Sequence, residues 1–400
     1  MVNNNSLSKW RTVSISALCS SLTYGTSQKS QSRGKYVVLR MGNLQGGFID
    51  WSDLVFTDDE YDIKRYNLVP GDVLFNRTNS PDLVGKTSIY RGEMPAIYAG
   101  YLIKLDYDRN EIIGEYLNYV LNSPEAKKYC LEIKTDGVSQ SNINAQKIGD
   151  FKFALPAYQE QRKIVDTICD MDNMIASLEK LVAKKKSIKQ GAMQDLFSGE
   201  IIVPGTSGKW QELRIRDAGY LTKVSVNPQD HPDEIYTEYS MPSYDNGRSP
   251  VITKGSTMHS NRIVIDGEVL LFNKLNVRQR RIWYIPECAA DAVCSAEFLA
   301  YKSEELDLQL LSQILNTDKV TDDFINMSTG TSNSQRRITP ADFMDYIVKV
   351  PKDRNEQKAI ASVLFDMDKE IESLEKKLAK CRQTKEGMMR QLLTGNIRLI

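Results

Sequence analysis

The chain has 400 residues, 41% hydrophobic and 26% charged, an ordinary globular composition with length for two or three domains. Lysine plus arginine and aspartate plus glutamate both number 52, so bulk charge gives no argument for nucleic acid and leaves only local basic faces. No apolar run approaches the roughly 18–20 residues of a membrane helix, MVNNNSLSKW lacks a signal core, and the cysteines form no CxxC, so the expectation is a cytoplasmic protein with reduced thiols.

In chain order, alternation predicts strands at 36–40 and 72–75, the latter running into Asn76-Arg77-Thr78-Asn79-Ser80. A strand at 101–105 and a helix over 112–121 lead to a second polar loop, Gly137-Val138-Ser139-Gln140-Ser141-Asn142. From Glu160 the periodicity changes. Ile164, Ile168, Met171, Ile175, Leu178 and Val182 alternate spacings of four and three, then Lys185 and Lys189 interrupt before Ala192 and Leu196. A stripe sustained over four heptads signals a coiled coil rather than a surface helix. Pro156 precedes it and Gly199 closes it.

The second half repeats this order. Strands are expected at 262–265, 269–272 and 297–301, and a helix at 306–315. The polar loops are Asn273-Lys274-Leu275-Asn276, continuing to Arg278, Arg280 and Arg281, and Gly330-Thr331-Ser332-Asn333-Ser334-Gln335-Arg336-Arg337. A second long helix follows Pro351 and ends at Gly395, with Ile360, Leu364, Met367, Ile371, Leu374, Leu378, Cys381, Met388 and Leu392 as its stripe, interrupted by Lys385. At ~1.5 Å per residue each long helix spans roughly 55–60 Å.

The repetition is one of sequence, not only of pattern. Residues 160–202 realign without gaps onto 356–398, an offset of 196 with 19 identities in 43 positions. Asp170-Met171-Asp172 matches Asp366-Met367-Asp368, and Gly71-Asp72-Val73-Leu74 matches Gly267-Glu268-Val269-Leu270. Each half is thus a variable segment followed by a near-constant one, which suggests one invariant partner contact and two different recognition tasks. Two stripes in one chain are expected to pair with each other, antiparallel, the alternative being a parallel coil between chains. Glu179, Lys180, Lys184 and Lys186 lie off the stripe and are expected on a solvated or partner-facing surface.

The loops carry the functional signal. Asn, Gln, Arg and Ser match base edges, while Arg, Lys, Ser and backbone amides suit phosphates. Residues 269–286 hold four basic residues and no acid, a basic island inside a neutral chain. Net charge divides as +1 over 1–159, 0 over 160–202, −3 over 203–355 and +2 over 356–400, so contacts with DNA would need such islands. Catalytic motifs fail. Gly85-Lys86-Thr87 lacks the first P-loop glycine because Ser80 stands there, Asn79-Ser80-Pro81-Asp82 departs from the amino-methyltransferase pattern, and His231 and His259 lack partners for a zinc site or triad.

The sequence resembles the specificity subunits of type I restriction–modification systems. The resemblance rests on Leu155-Pro156…Glu160-Gln161-Arg162-Lys163-Ile164 and Val350-Pro351…Glu356-Gln357-Lys358, each entering a long helix. The helices end in Met193-Gln194-Asp195-Leu196-Phe197-Ser198-Gly199 and Met389-Arg390-Gln391-Leu392-Leu393-Thr394-Gly395. Tyr24-Gly25-Thr26-Ser27, Leu39-Arg40-Met41-Gly42-Asn43 and the stretch from Gly71 to Asn79 add to it, whereas no counterpart of Arg40–Asn43 is recognisable around 236–246.

The resemblance implies an α+β chain of two mixed α/β target-recognition domains in pseudo-twofold repeat, at 1–159 and 203–355. Two antiparallel coiled-coil helices, at 160–202 and 356–400, would separate them and act as spacers. Each domain would read one half of a bipartite asymmetric double-stranded DNA site. The helix pair would set the spacer and dock two modification (methyltransferase) subunits, and restriction subunits would complete the complex. The chain itself would be non-catalytic and hold no metal or cofactor, with S-adenosylmethionine, ATP and Mg on the partners. Expected DNA contacts are Arg40, Asn43, Arg77, Thr78, Asn79, Lys86, Gln140, Ser141 and Asn142 in the first half. In the second they are Asn273, Lys274, Asn276, Arg278, Arg280, Arg281, Asn333, Gln335, Arg336 and Arg337. The rival reading is a duplicated coiled-coil scaffold or adaptor that binds no DNA.

Overall fold

A computed structural model describes residues 10–198, 208–330 and 336–399. Gly199, Asn333 and Gln335 therefore lie outside the described residues. The chain divides into two compact units, residues 1–179 with 376–400, and residues 180–375. The first long helix, Tyr158–Ser198, and the second, Arg354–Leu392, each contribute one part to either unit.

In the first unit, an antiparallel sheet has the order Cys19–Tyr24, Leu102–Tyr107, Val73–Asn76, Thr87–Ile89. A second sheet pairs Tyr36–Leu39 in parallel with Ala96–Tyr98 and antiparallel with Phe56–Thr57. Arg11–Ser14 pairs with Lys152–Leu155, which brings the start of the head beside the point where the long helix leaves it. The 180–375 unit repeats the plan. Its central order is Gly219–Leu221, Phe298–Ser303, Val269–Asn273, Ile282–Ile285, and Ile235–Tyr239 runs parallel to Ala292–Ser295. Trp210–Arg214 pairs with Ile347–Pro351.

Each head buries its apolar face against both long helices. In the first unit Ile15, Phe75, Ile103 and Tyr116 share one core with Ile164 and Ile168 of the first helix and Met389, Leu392 and Leu393 of the second. In the other, Ile215, Leu270, Phe272 and Phe343 share a core with Leu196, Ile360, Ala361 and Leu364. Of the expected stripe, Ile164, Ile168, Leu178, Val182, Ile360, Leu364, Ile371 and Leu378 are buried. Met171, Ile175, Met367 and Leu374 are half-buried.

The lysines that interrupt the stripes have partners. In the first unit Lys385 meets Asp172 at 2.5 Å, and Asp172 also accepts the Tyr119 hydroxyl at 2.9 Å. In the 180–375 unit Lys189 meets Asp368 at 2.5 Å, and Asp368 accepts from the Gln313 amide at 2.8 Å. Lys189 and Lys385, like Asp172 and Asp368, stand 196 apart, so one node joining head, first helix and second helix is built twice. Lys185 pairs with Glu370. Two of the charges expected on a solvated or partner-facing surface also pair between the helices, Glu179 with Arg382 and Lys186 with Glu375, because the helices run antiparallel past each other within each unit.

The Glu-Gln dipeptide that opens both helices joins each helix to its own head. Fully buried Gln161 accepts the Ile113 amide at 2.9 Å and donates to the Glu111 and Pro156 carbonyls. Gln357 accepts the Asp307 amide and donates to the Pro351 carbonyl, each at 2.8 Å. Glu160 takes a bidentate contact from Arg398 and the Trp10 indole N–H.

Leu178→Asp places a carboxylate in a buried stripe position, whereas Leu374 is half-buried. We expect Leu178→Asp to lower the melting temperature of the full chain clearly more than Leu374→Asp. Normal melting of Leu178→Asp would refute the helix pairing.

Candidate nucleic-acid interface

The polar loops predicted from sequence converge in each head, and they do so through the same backbone bonds. In the first unit the Arg77 amide donates to the Tyr101 carbonyl at 3.0 Å, and the Arg77 carbonyl accepts the Ile143 amide at 2.8 Å. Thr78–Asn79 then pairs with Ser141–Asn142, which pairs with Thr135–Asp136. In the 180–375 unit the Lys274 amide donates to the Glu297 carbonyl at 3.0 Å, and the Lys274 carbonyl accepts the Ile338 amide at 3.1 Å. Leu275 and Thr329 both bridge to Arg337, and the Asn276 amide donates to the Arg336 carbonyl. Segments about 60 residues apart in sequence are thus joined at equivalent places.

A buried asparagine starts each turn. The side-chain oxygen of Asn76 accepts the Thr78 amide, and that of Asn273 accepts the Leu275 amide at 2.7 Å. Such Asx turns let the chain leave a buried strand without orphaning amides. Asn273, at 3% exposure, shapes the loop through its side-chain oxygen.

Several other expected contacts face inward. Asn43, also 3% exposed, accepts the Arg40 amide and donates to the Asp50 and Asp53 carbonyls, so it closes its own turn. Thr78 and Ser141 are buried, Thr78 accepting from Asn142 and Ser141 donating to Asp136. Arg40 pairs with Asp53, and Lys86 donates to Gln45. Asn79 accepts the Ser80 amide and is half-buried. Arg77 lies 4.7 Å over the Tyr24 ring and donates to Asn142 and the Gly100 carbonyl. Gln140 is exposed at a hairpin tip beside Val138, where the Gly137 amide donates to the Gln140 carbonyl. Tyr24, Tyr101 and Val138 are exposed apolar surface beside these loops, and polar-residue counting alone missed them.

The basic island of the 180–375 unit is half neutralised by acids. Arg281 binds Asp245 through two bonds of 2.8 and 2.6 Å, and this contact holds the Asp245 carboxyl below the usual carboxylate range. Arg280 meets Asp318 at 2.5 Å, and Arg337 meets Glu297 at 2.9 Å. Lys274 donates to the Ala296 carbonyl, and Arg336 reaches the Ile325 carbonyl at 3.5 Å. Arg278 is exposed and Asn276 half-buried.

The structure also locates the counterpart of the Arg40–Asn43 motif. The parallel strands end at Leu39, opposite Tyr98, and at Tyr239, opposite Cys294. The Arg40 amide then donates to Asn43, and the Ser240 amide donates to Ser243, both at 2.8 Å. Ser240-Met241-Pro242-Ser243 thus does the work of Arg40-Met41-Gly42-Asn43, with only the methionine unchanged. What is kept is the cap geometry, which an alternate small polar residue satisfies equally.

Gly85, which suggested a phosphate loop, occupies a left-handed turn at φ +90, where a Cβ would come within 2.8 Å of the Cys130 sulfur. Burial pushes the Cys130 and Cys294 thiols up to about 12, so they are protonated at neutral pH. Among the described residues no group of three or more His, Cys, Asp or Glu side chains could hold a metal ion, and no helix is long and apolar enough to cross a membrane.

Residues 8–190 match the family model described as "Type I restriction modification DNA specificity domain". The chain is 25% identical over 392 residues to a Methanocaldococcus jannaschii protein named as the MjaX type I restriction enzyme specificity subunit, covering 94% of this chain and 90% of that one. It is 24% identical to the EcoKI specificity subunit of Escherichia coli K12, over 50% of this chain and 47% of that one. In fold it is similar to the type I restriction–modification S subunit from M. genitalium, with TM-score 0.64 and 13% identity over 98% of both chains. A doubled head-and-helix plan, both Glu-Gln helix entries and these likenesses agree in making the chain similar to the specificity subunits of type I restriction–modification systems.

Proposed function

We propose that this chain reads a bipartite, asymmetric double-stranded DNA sequence, one half with each head, for a type I restriction–modification complex. The observation that carries this reading is the repeated convergence of two polar loops through matching backbone bonds, in heads whose loop residues differ. A scaffold built twice holds two different sets of side chains, which is what reading two unlike half-sites requires. On this reading residues 1–159 and 203–355 are the recognition domains. Residues 160–202 and 356–400 set the unread spacer and dock two modification subunits, with restriction subunits joining the assembly.

The chain performs no chemistry itself. S-adenosylmethionine, ATP and Mg belong on partner subunits, which methylate adenine or cleave DNA in the cytoplasm. Since most basic side chains at the loops are already paired with acids or carbonyls, the chain alone should hold DNA weakly, and affinity should come from the assembled complex.

Exchange of residues 1–159 for those of a relative, followed by sequencing of genomic methylation, tests the assignment. One half-site is expected to change while the other stays. A change in both, or in neither, would refute independent reading by the heads. Absent or salt-independent DNA retention by the chain with its modification subunits would instead assign it the role of a scaffold.

A further inference from the structure

Six basic side chains gather where the loops of the 180–375 unit converge, and five of them are engaged with protein acceptors: Lys274, Arg280, Arg281, Arg336 and Arg337. Arg278 is the exception, exposed and without a partner among the described residues.

Its placement is built by the backbone. Val277–Gln279 forms a single turn of 3-10 helix between two non-glycine residues in the left-handed region, Asn276 at φ 52 and Arg280 at φ 48. Residues with a Cβ hold that conformation only where their surroundings impose it. Here the Asn276 amide donates to the Arg336 carbonyl. The Arg280 carbonyl accepts the Tyr244 hydroxyl, and its guanidinium is fixed by Asp318 and the Asn316 carbonyl. Val277 is buried beneath the turn. Asn276, Val277 and Arg280 are therefore tied down around Arg278, while its own side chain is exposed.

Resting on the reading of this unit as a DNA head, we infer that Arg278 reads a base directly, and that its half-site contains a G·C pair. The guanidinium fork donates two parallel hydrogen bonds to O6 and N7 of guanine, a match that depends on a fixed approach. A phosphate contact needs no such fixed turn. The carboxylates of Asp318, Asp245 and Glu297 already hold Arg280, Arg281 and Arg337, which leaves the exposed Arg278 fork unclaimed. Arg280 and Arg281 are positioning residues that hold the loop.

The test uses the full chain assembled with its modification subunits, on the target defined by methylation sequencing. R278A and R278K are both expected to lose roughly 10- to 100-fold of discrimination at one G·C position of the half-site read by the 180–375 unit. Melting temperature and discrimination at the other half-site stay unchanged. Retained discrimination in R278K would overturn the inference, since a lysine preserves charge but not the fork. Uniform weakening of R278A on all sequences with a reduced salt slope would overturn it in favour of a phosphate contact. So would a half-site without a G·C pair. If the wild-type complex shows no sequence preference, DNA reading itself falls, and the role of Arg278 with it.

Discussion

Lys385→Met is expected to destabilise the full chain by on the order of 3 kcal/mol, the lower end of what removing one partner of a buried ion pair costs. The reason is what it leaves behind. Asp172, 8% exposed, would keep the Tyr119 hydroxyl and lose the ammonium that balances its charge. Some water still reaches the site, because the Lys385 side chain is itself 18% exposed, which places the effect low in the range. Lys189→Met makes the equivalent change in the 180–375 unit. There the Asp368 side chain is 40% exposed, and the loss should be roughly 1 kcal/mol or less.

The double replacement Asp172→Leu with Lys385→Met removes both charges and should recover most of the stability lost in Lys385→Met. Urea denaturation of the wild type, Lys385→Met, Asp172→Leu and the double variant closes the cycle. Equal costs for Lys385→Met and Lys189→Met would show that burial does not decide the matter. A double variant no better than the single would show that shape, not charge, holds the node.

These lysines also mark where sequence reading stops. The helical stripes, their pairing partners and the duplication are legible because they are periodic or gapless, and periodicity survives without knowledge of the fold. Lys189 and Lys385 look like defects in that pattern. Their partners Asp368 and Asp172 stand on the other long helix, which no local window can supply.

The basic island fails for the same reason. A stretch with four bases and no acid reads as positive, yet Arg281 and Arg280 find Asp245 and Asp318, 36 and 38 residues away. The loops themselves were legible as places, since both follow corresponding elements in each half. Which of their side chains turn inward was not. Asn43, Thr78, Ser141 and Asn273 are residue types that serve a turn as readily as a base edge, and burial alone separates the two uses. The missing Arg40–Asn43 counterpart illustrates the converse, because Ser240 and Ser243 keep the cap while changing nearly every letter.

The Glu-Gln helix entry gives the other large effect. Gln161→Leu keeps approximate volume and removes three hydrogen bonds at once, leaving the Ile113 amide and the Glu111 and Pro156 carbonyls without that partner in a fully buried site. A buried amide left unpaired costs about 1–3 kcal/mol and carbonyls somewhat less, so a total of about 4 kcal/mol is expected. Gln357→Leu strands two groups, the Asp307 amide and the Pro351 carbonyl, and should cost less, about 3 kcal/mol.

Gln161→Glu separates the polar role from the packing role. A carboxylate can still accept from Ile113 but cannot donate to either carbonyl, and burial disfavours its charge, so its folded-state pKa would rise above the unfolded value. Such a group contributes stability in its protonated form at low pH and loses it as pH rises through the folded pKa. Gln161→Glu should therefore approach wild-type stability near pH 4 and fall behind as the pH is raised to 8, whereas the deficit of Gln161→Leu should be pH-independent relative to wild type. Parallel pH profiles for the two variants would mean that the amide acts through its shape, and the three backbone groups find other partners when it is gone.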